Sequence, residues 1–415
     1  MATEPFQIMF VEIRYSNFWK QTKSKKILET KKWTCGIIKI LLNTTTKRLR
    51  KQAFFLFKKY PKLTYFYTVK IDYIIVGLGL AGLSFAEELI TAKKSFLVFE
   101  DDSQTSSLVA GGIYNPVILK RFTPVWNAKE QLEIALPFYE KLAQKFNQKF
   151  DKKFITKKVF KSIEEQNNWF TALDKPNLTD YLDPNLDSKK YEGVIGDLCF
   201  GNVKETGRID TKKLVEAYRD FLEKENKIQF EKFDYSKIEF EEDGITYKNI
   251  AAQKIVFCEG FGMKKNPFFN YLPLNEAKGE LIIIHAPKLD IDFLVKSTLF
   301  VLPLGNHYYK VGATFNWNDK TSHPSEEGKM ELVEKLQKVL NIPYEIVEQS
   351  AGIRPTVKDR RPLVGVHKKF PQLAILNGLG TRGVMIAPTV AKQLFHHIEN
   401  QEKLDSEIDI NRFSS

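Results

Sequence analysis

Cysteine is scarce in this sequence: three among 415 residues, Cys35, Cys199 and Cys258, with no C-x-x-C pair. A disulfide framework and a cysteine-built zinc site are thereby excluded as the basis of the fold, and a reducing compartment fits. Histidine is also sparse. The six (His285, His307, His323, His367, His396 and His397) form no H-E-x-x-H or spaced ligand pair, so no metal is expected. No G-x-S-x-G elbow exists, which removes the usual serine-hydrolase signature. No apolar run approaches the roughly 20 residues of a membrane-spanning helix, and no signal-peptide pattern stands at the start. A cytoplasmic location is expected. Long internal repeats are absent.

Acidic residues are missing in one place only. Residues 1–68 hold fifteen Lys/Arg against Glu4, Glu12 and Glu29, no Asp, and one glycine, Gly36. That segment carries the whole formal charge of +12; the remaining 347 residues hold 48 basic and 48 acidic residues and balance to zero. Global charge therefore says nothing about the main body. The segment is expected to lie outside the fold and the chemistry, because a complete domain start stands at Val69-Lys70-Ile71-Asp72. The alternative is an interfacial helix, targeting peptide or nucleic-acid arm around Lys47–Lys59, where Phe54, Phe55 and Phe57 interleave with basic residues. The body is long enough for two packed domains.

What is present begins at Lys70–Gly77, a β-branched run that reads as a buried parallel strand. Gly77-Leu78-Gly79-Leu80-Ala81-Gly82 follows, a G-x-G-x-x-G. A helical stretch, Leu80–Ala92, and a second strand, Ser95–Phe99, lead to Glu100. Each part has a physical role in holding a dinucleotide. Gly77 permits the tight turn, Gly79 lets a pyrophosphate approach the backbone, and Gly82 lets helix pack on strand. The helix N-terminus offers free N–H groups and the positive end of its dipole. Glu100 would accept hydrogen bonds from ribose hydroxyls. A second match, Gly378-Leu379-Gly380-Thr381-Arg382-Gly383, lies between a strand-like run and a helix. No acid-ending strand follows it, so it reads as an anion-facing loop rather than a second dinucleotide fold.

Motif logic alone leaves NAD and FAD open. Further along come the small-residue stretch Thr105–Ile113, Gly207-Arg208-Ile209-Asp210 before an amphipathic helix, and a strand closing at Gly260. Ala351-Gly352-Ile353-Arg354-Pro355 follows, then Asp359, Pro362, Gly365 and Ala387-Pro388. In this order the motifs resemble the D-amino-acid-oxidase-like FAD oxidoreductases, including glycine oxidase and the FAD part of a bifunctional tRNA-modifying enzyme. The likeness covers about residues 70–400 and is most specific from Gly352 to Pro388.

The resemblance implies an α/β fold with an α+β second domain. A Rossmann-like FAD-binding domain (69–152, 204–264 and 348–405) would carry an inserted mixed-sheet substrate domain (153–203 and 265–347). FAD would bind in extended form. Its ADP half would meet Gly77, Gly79, Leu80, Ala81, Gly82 and Glu100, and Asp101 and Gly260 would also contact the cofactor. Thr105, Ser106, Ala110, Gly111 and Gly112 would lie beside the isoalloxazine ring, as would Gly380, Thr381, Gly383 and Val384. Attachment is expected to be noncovalent: no His lies between Gly82 and His285, and no Cys follows Cys258.

The same resemblance implies oxidation of a C–N bond in an amino acid or secondary amine, by hydride transfer to flavin N5, with the imine hydrolysing in water. Arginine suits the carboxylate of such a substrate because its planar fork makes two parallel hydrogen bonds. Arg354 matches the carboxylate-binding arginine of glycine oxidase; the alternative is a structural arginine paired with Asp359. Arg382 is the second candidate. The loop register puts the other substrate-facing arginine of glycine oxidase at Thr381, so the alternative for Arg382 is to face the flavin or fix the loop.

Phe300 stands where glycine oxidase has a tyrosine, so a hydroxyl is lost. Tyr114, Asn115 and Arg121 either reach the active site or belong to a loop over the flavin. Lys145–Lys161 reads as a solvated face, and Cys258 as a small buried hydrophobe. Oxygen or a quinone would accept the electrons. The alternative function is a tRNA-modifying FAD oxidase acting on carboxymethylaminomethyl-uridine. The neutral body favours a small molecule over nucleic acid. A flavin-free NAD-binding module is the third reading.

Overall fold

The computed structural model describes residues 68–413 except Asp197. The reading of the basic N-terminal segment lies outside these residues. Among the described residues, contacts give two compact units, one of residues 68–72 with Ser236–Gln253, the other of Tyr73–Tyr235 with residues 254–413. Within the first, Ile238–Glu241 and Gly244–Tyr247 form an antiparallel hairpin that pairs with Ile250–Ala252.

Two eight-stranded sheets organise the chain. In the first, Leu363–Val366, Leu373–Asn377, Ile250–Phe257, Val69–Val76, Phe96–Glu100 and Ile228–Phe230 lie side by side. Val69–Val76 runs parallel to Phe96–Glu100, from Tyr73↔Phe96 to Val76↔Phe99. Its β-branched run reflects burial on both faces: Tyr73, Ile74 and Ile75 are fully buried. The helix Leu80–Thr91 makes the crossover that parallel strands require, and Leu80–Glu87 is buried throughout. Glu87 is tolerated there because the Tyr218 hydroxyl (2.9 Å) and the Lys145 ammonium donate to it. The helices Ala128–Phe146, Thr211–Lys224 and Gly383–Asn400 add Leu142, Leu214 and Leu394 to the same core.

The second sheet runs Glu345–Val357, Leu274–His285, Tyr308–Gly312, Phe300–Gly305, Leu294–Lys296, Asp151–Val159, Phe200–Ile209 and Ile113–Tyr114. Its longest pairing is antiparallel, from Leu274↔Val357 to His285↔Glu345. The helix Glu326–Gln337 covers one face, packing Leu332 and Leu336 with Ile282, Ile284, Val301 and Val311. Strand alternation then puts Ala277, Gly279 and Leu281 on the other face, with their partners Arg354, Gly352 and Ser350. The candidate site forms on that other face.

Two features differ from the sequence reading. The lysine-rich stretch to Lys161 is not uniformly solvated. Lys157 and Lys158 are buried in the strand Asp151–Val159 and paired to Asp187 (2.5 Å) and Glu165 (2.8 Å). Sequence spacing does not show carboxylates brought in from other segments. A separate core closes around Trp169, fully buried between Phe122 and Phe160, its indole N–H donating to the Asp183 carbonyl at 3.1 Å. Trp169→Ala is expected to destabilise the protein by about 3–5 kcal/mol in urea unfolding, through the cavity and the lost hydrogen bond.

Candidate active site

The glycine loop is built by close backbone approach. Gly77 has φ +95°, and a Cβ there would stand 2.6 Å from the Cys258 carbonyl oxygen. A Cβ on Gly82 would meet the Gly77 carbonyl oxygen at 2.0 Å. No side chain caps the helix at Gly79, so its first-turn N–H groups remain available to an anion. One is engaged: Leu80 N–H donates to Ser107 Oγ at 3.2 Å. Sequence reasoning did not single out Ser107; its only signal was membership of the small-residue stretch. Glu100 turns back to the loop, accepting from Leu78 N–H and from Asp102 N–H (3.1 Å), with Arg219 3.5 Å away. Burial pushes its carboxyl above the ordinary value. Asp101 is exposed and accepts from Ser103 N–H.

Thr105–Ile113 lies against the second sheet. Ser106 Oγ donates to the Ile353 carbonyl at 2.5 Å. A Cβ on Gly112 would stand 1.9 Å from the Ile209 carbonyl oxygen, and one on Gly352 would stand 2.6 Å from Val109 Cγ2. The Phe300 ring fits between Gly111 and Gly312, each of whose Cβ positions is 3.2 Å from its Cζ. Lys310 Nζ reaches the carbonyls of Ala110 (3.4 Å) and Val109 (3.5 Å), and burial lowers its pKa. No motif pointed to Lys310.

The C-terminal loop joins the same region. A Gly380 Cβ would stand 3.2 Å from Thr356 Cγ2, and a Gly383 Cβ 3.3 Å from Leu80 Cδ1. Thr381 is exposed and Val384 buried. Arg382 is partly buried at the start of the helix Gly383–Asn400, and burial lowers its pKa. Gly260, with φ +53°, has its carbonyl tied to Asn377 Nδ2 at 2.9 Å, a contact no motif announced.

Arg354 is the distinctive cation. Its guanidinium lies over Gly279, where a Cβ would stand 1.9 Å from one Nη. The ring of Phe315 lies 4.2 Å from its Cζ, and Nη1 donates to the Thr314 carbonyl at 3.2 Å. Burial pushes its pKa down to about 10. The alternative pairing with Asp359 does not form: that carboxylate accepts from Arg412 Nε (2.8 Å) and Arg361 N–H (3.0 Å). Tyr114 is buried, its hydroxyl 2.9 Å from Asp151 Oδ1, and Asn115 Oδ1 accepts from Val117 N–H. Both serve the local fold, while Arg121 is exposed.

A glycine loop on a buried parallel strand, set beside a second sheet that carries a half-buried arginine, defines a dinucleotide-binding scaffold. The chain belongs to the DAO family of FAD dependent oxidoreductases, whose family model matches residues 72–396. It is 22% identical over 304 residues to the "tRNA 5-methylaminomethyl-2-thiouridine biosynthesis bifunctional protein MnmC" of Campylobacter jejuni subsp. doylei. That match covers 70% of this chain and 45% of the relative, so the chain spans less than half of that protein's length. Glycine oxidase from Geobacillus kaustophilus shares the fold with a TM-score of 0.68 at 17% identity, over 83% of this chain and all of that one. L-α-glycerophosphate oxidase from Mycoplasma pneumoniae, solved with FAD bound, gives 0.64 at 18% identity, over 81% and 97%. The protein is thus an FAD-dependent oxidoreductase. No described helix is long and apolar enough to cross a membrane.

The residues present fit FAD. The Gly77 and Gly82 positions admit no Cβ, the adjacent helix end is uncapped, and a buried carboxylate stands at the strand end. Beside them Glu259 is buried, accepting from Tyr235 Oη and from Asn266 Nδ2 (2.7 Å). Burial raises its pKa to about 7. The folded state therefore holds a proton that the unfolded chain releases at lower pH, and stability from this group falls as pH rises from about 4.5 toward 7. Glu259→Gln is expected to flatten that part of the profile of melting temperature against pH; an unaltered slope between pH 5 and 8 would remove the assignment.

Proposed function

We propose that this chain oxidises the C–N bond of an amino acid or secondary amine whose carboxylate is held by Arg354. The observation that carries the reading is a half-buried guanidinium whose one protein acceptor is the Thr314 carbonyl. A half-buried arginine so partnered is suited to a bidentate anion. Bound FAD would supply the acceptor for the hydride lost from the carbon beside the nitrogen as the C–N bond becomes C=N.

The chain's own residues do the rest. Gly77, Gly79, Leu80, Ala81, Gly82, Glu100, Asp101 and Gly260 hold the ADP half. Thr105, Ser106, Ala110, Gly111 and Gly112 flank the ring on one side; Gly380, Thr381, Gly383 and Val384 flank it on the other. Arg382 fixes this second loop. Phe300, without a hydroxyl, excludes water, and Arg354 orients the substrate. In this reading residues 69–152, 204–264 and 348–405 form the cofactor domain, and 153–203 with 265–347 the substrate domain. Attachment of FAD is noncovalent, and oxygen or a quinone takes the electrons onward.

Anaerobic mixing with amino acids, N-methyl amino acids and proline analogues tests the function: a substrate bleaches the flavin band, and failure of all three classes would overturn the reading. Arg354→Met should raise KM for carboxylate substrates roughly 10- to 100-fold while flavin absorbance is retained. Gly82→Ala should yield a protein that loses its flavin absorbance on gel filtration, because the added Cβ would collide with the Gly77 carbonyl oxygen.

A further inference from the structure

The helix Thr211–Lys224 buries Leu214, Val215, Tyr218 and Leu222. Arg219 stands four residues after Val215, at the margin of that buried face, with its side chain 17% exposed. Tyr218 and Arg219 are adjacent in sequence and reach different parts of the glycine-loop unit. Tyr218 donates to Glu87 of the helix Leu80–Thr91 at 2.9 Å. Arg219 reaches the end of the strand Phe96–Glu100. Its Nη2 lies 3.5 Å from Glu100 Oε1, and its Nη1 lies 2.6 Å from Asp102 Oδ1. No sequence motif pointed to Arg219.

Glu100 is 5% exposed, so water does little to support its negative charge. Burial acts against ionisation, while three groups act for it: the Leu78 N–H, the Arg219 guanidinium and the Asp102 N–H (3.1 Å). Asp102 adopts a left-handed conformation, φ +57°, which the aspartate side chain tolerates. Its N–H thereby meets Glu100 and its carboxylate meets Arg219. Of the charged side chains acting on Glu100, Arg219 favours the ionised form and Asp102 opposes it. The paired strands bring no charge to this end, since Val76 lies on one side and Ile228–Phe230 on the other. Asp101, the next residue, is exposed. The planar guanidinium spans the Glu100 and Asp102 carboxylates at once, which a point-like ammonium does less well.

We infer that Arg219 is a positioning residue for the cofactor: it keeps Glu100 ionised and oriented to accept from the ribose hydroxyls of FAD. An ionised carboxylate offers acceptors only, whereas a protonated one turns an oxygen into a donor and holds two hydroxyls less well. Retention of FAD therefore falls as pH drops through the titration of Glu100, and the charge of Arg219 sets how low that point lies. This inference rests on Glu100 as the ribose acceptor and adds the group that lets it serve in a buried site.

The test follows release of FAD from the loaded protein after dilution between pH 5 and 8. Release is read as the rise in flavin fluorescence, with circular dichroism reporting that the fold persists. In Arg219→Gln, faster release should set in about one pH unit higher than in the wild type, and the two should converge toward pH 8. Glu259, beside the same glycine loop, titrates in wild type and variant alike, so the comparison cancels it. Arg219→Lys, which keeps the charge, should return the onset most of the way. In a Glu100→Gln background, Arg219→Gln should no longer move the onset. Equal acceleration at every pH, or a shift that persists in Glu100→Gln, would overturn the positioning role. If Arg219→Gln loses its FAD before measurement, Arg219→Lys decides: retention supports the role, and equal loss overturns it. If Glu100→Gln releases FAD as the wild type does at every pH, the ribose reading of Glu100 itself fails, whatever Arg219 does.

Discussion

The guanidinium of Arg354 crosses the neighbouring strand, and it can do so only because Gly279 has no side chain. A single Cβ there would stand 1.9 Å from a guanidinium nitrogen. Everything on that face follows from this clearance. The arginine packs against the Phe315 ring and gives one hydrogen bond to the Thr314 carbonyl. Taking a guanidinium out of water is costly without partners, and its lowered pKa is the signature of that cost. An anion that supplies the missing acceptors would relieve it.

Close backbone approach is the theme of the cofactor side as well. Gly77 against Cys258, Gly82 against Gly77, Gly112 against Ile209 and Gly352 against Val109 are contacts at which a Cβ would have no room. Together they flatten three stretches distant in sequence, so that each can lie beside the others. The Gly383–Leu80 approach joins the two glycine loops, which the sequence spaces some 300 residues apart. Ser107 then engages an N–H of the first loop, and Ser106 a carbonyl of the Arg354 strand, so one short helix ties both halves of the site.

The cofactor half was largely legible because its signals are local. A β-branched run, a glycine turn, an apolar helix and a second strand occupy about 31 consecutive residues, and each constrains its own backbone whatever lies elsewhere. The strand at Val69–Val76 and the helices at Leu80–Thr91 and Gly383–Asn400 fall within a residue or two of the expected bounds. Arg354 was legible as a candidate through its motif. Whether it pairs with Asp359 was not, since Arg412, 58 residues from Arg354, takes that carboxylate.

The sequence by itself therefore determined the dinucleotide fold and the family, and marked Arg354 as the candidate arginine. It did so through short-range patterns of glycine, β-branched and charged residues. Only the tertiary structure decided how that arginine is held, because Gly279 comes from a neighbouring strand, and Thr314 and Phe315 from the segment after Gly312, whose alignment no local pattern encodes. The same holds for the buried Lys157 and Lys158, read as solvated until strand pairing placed Asp187 and Glu165 beside them.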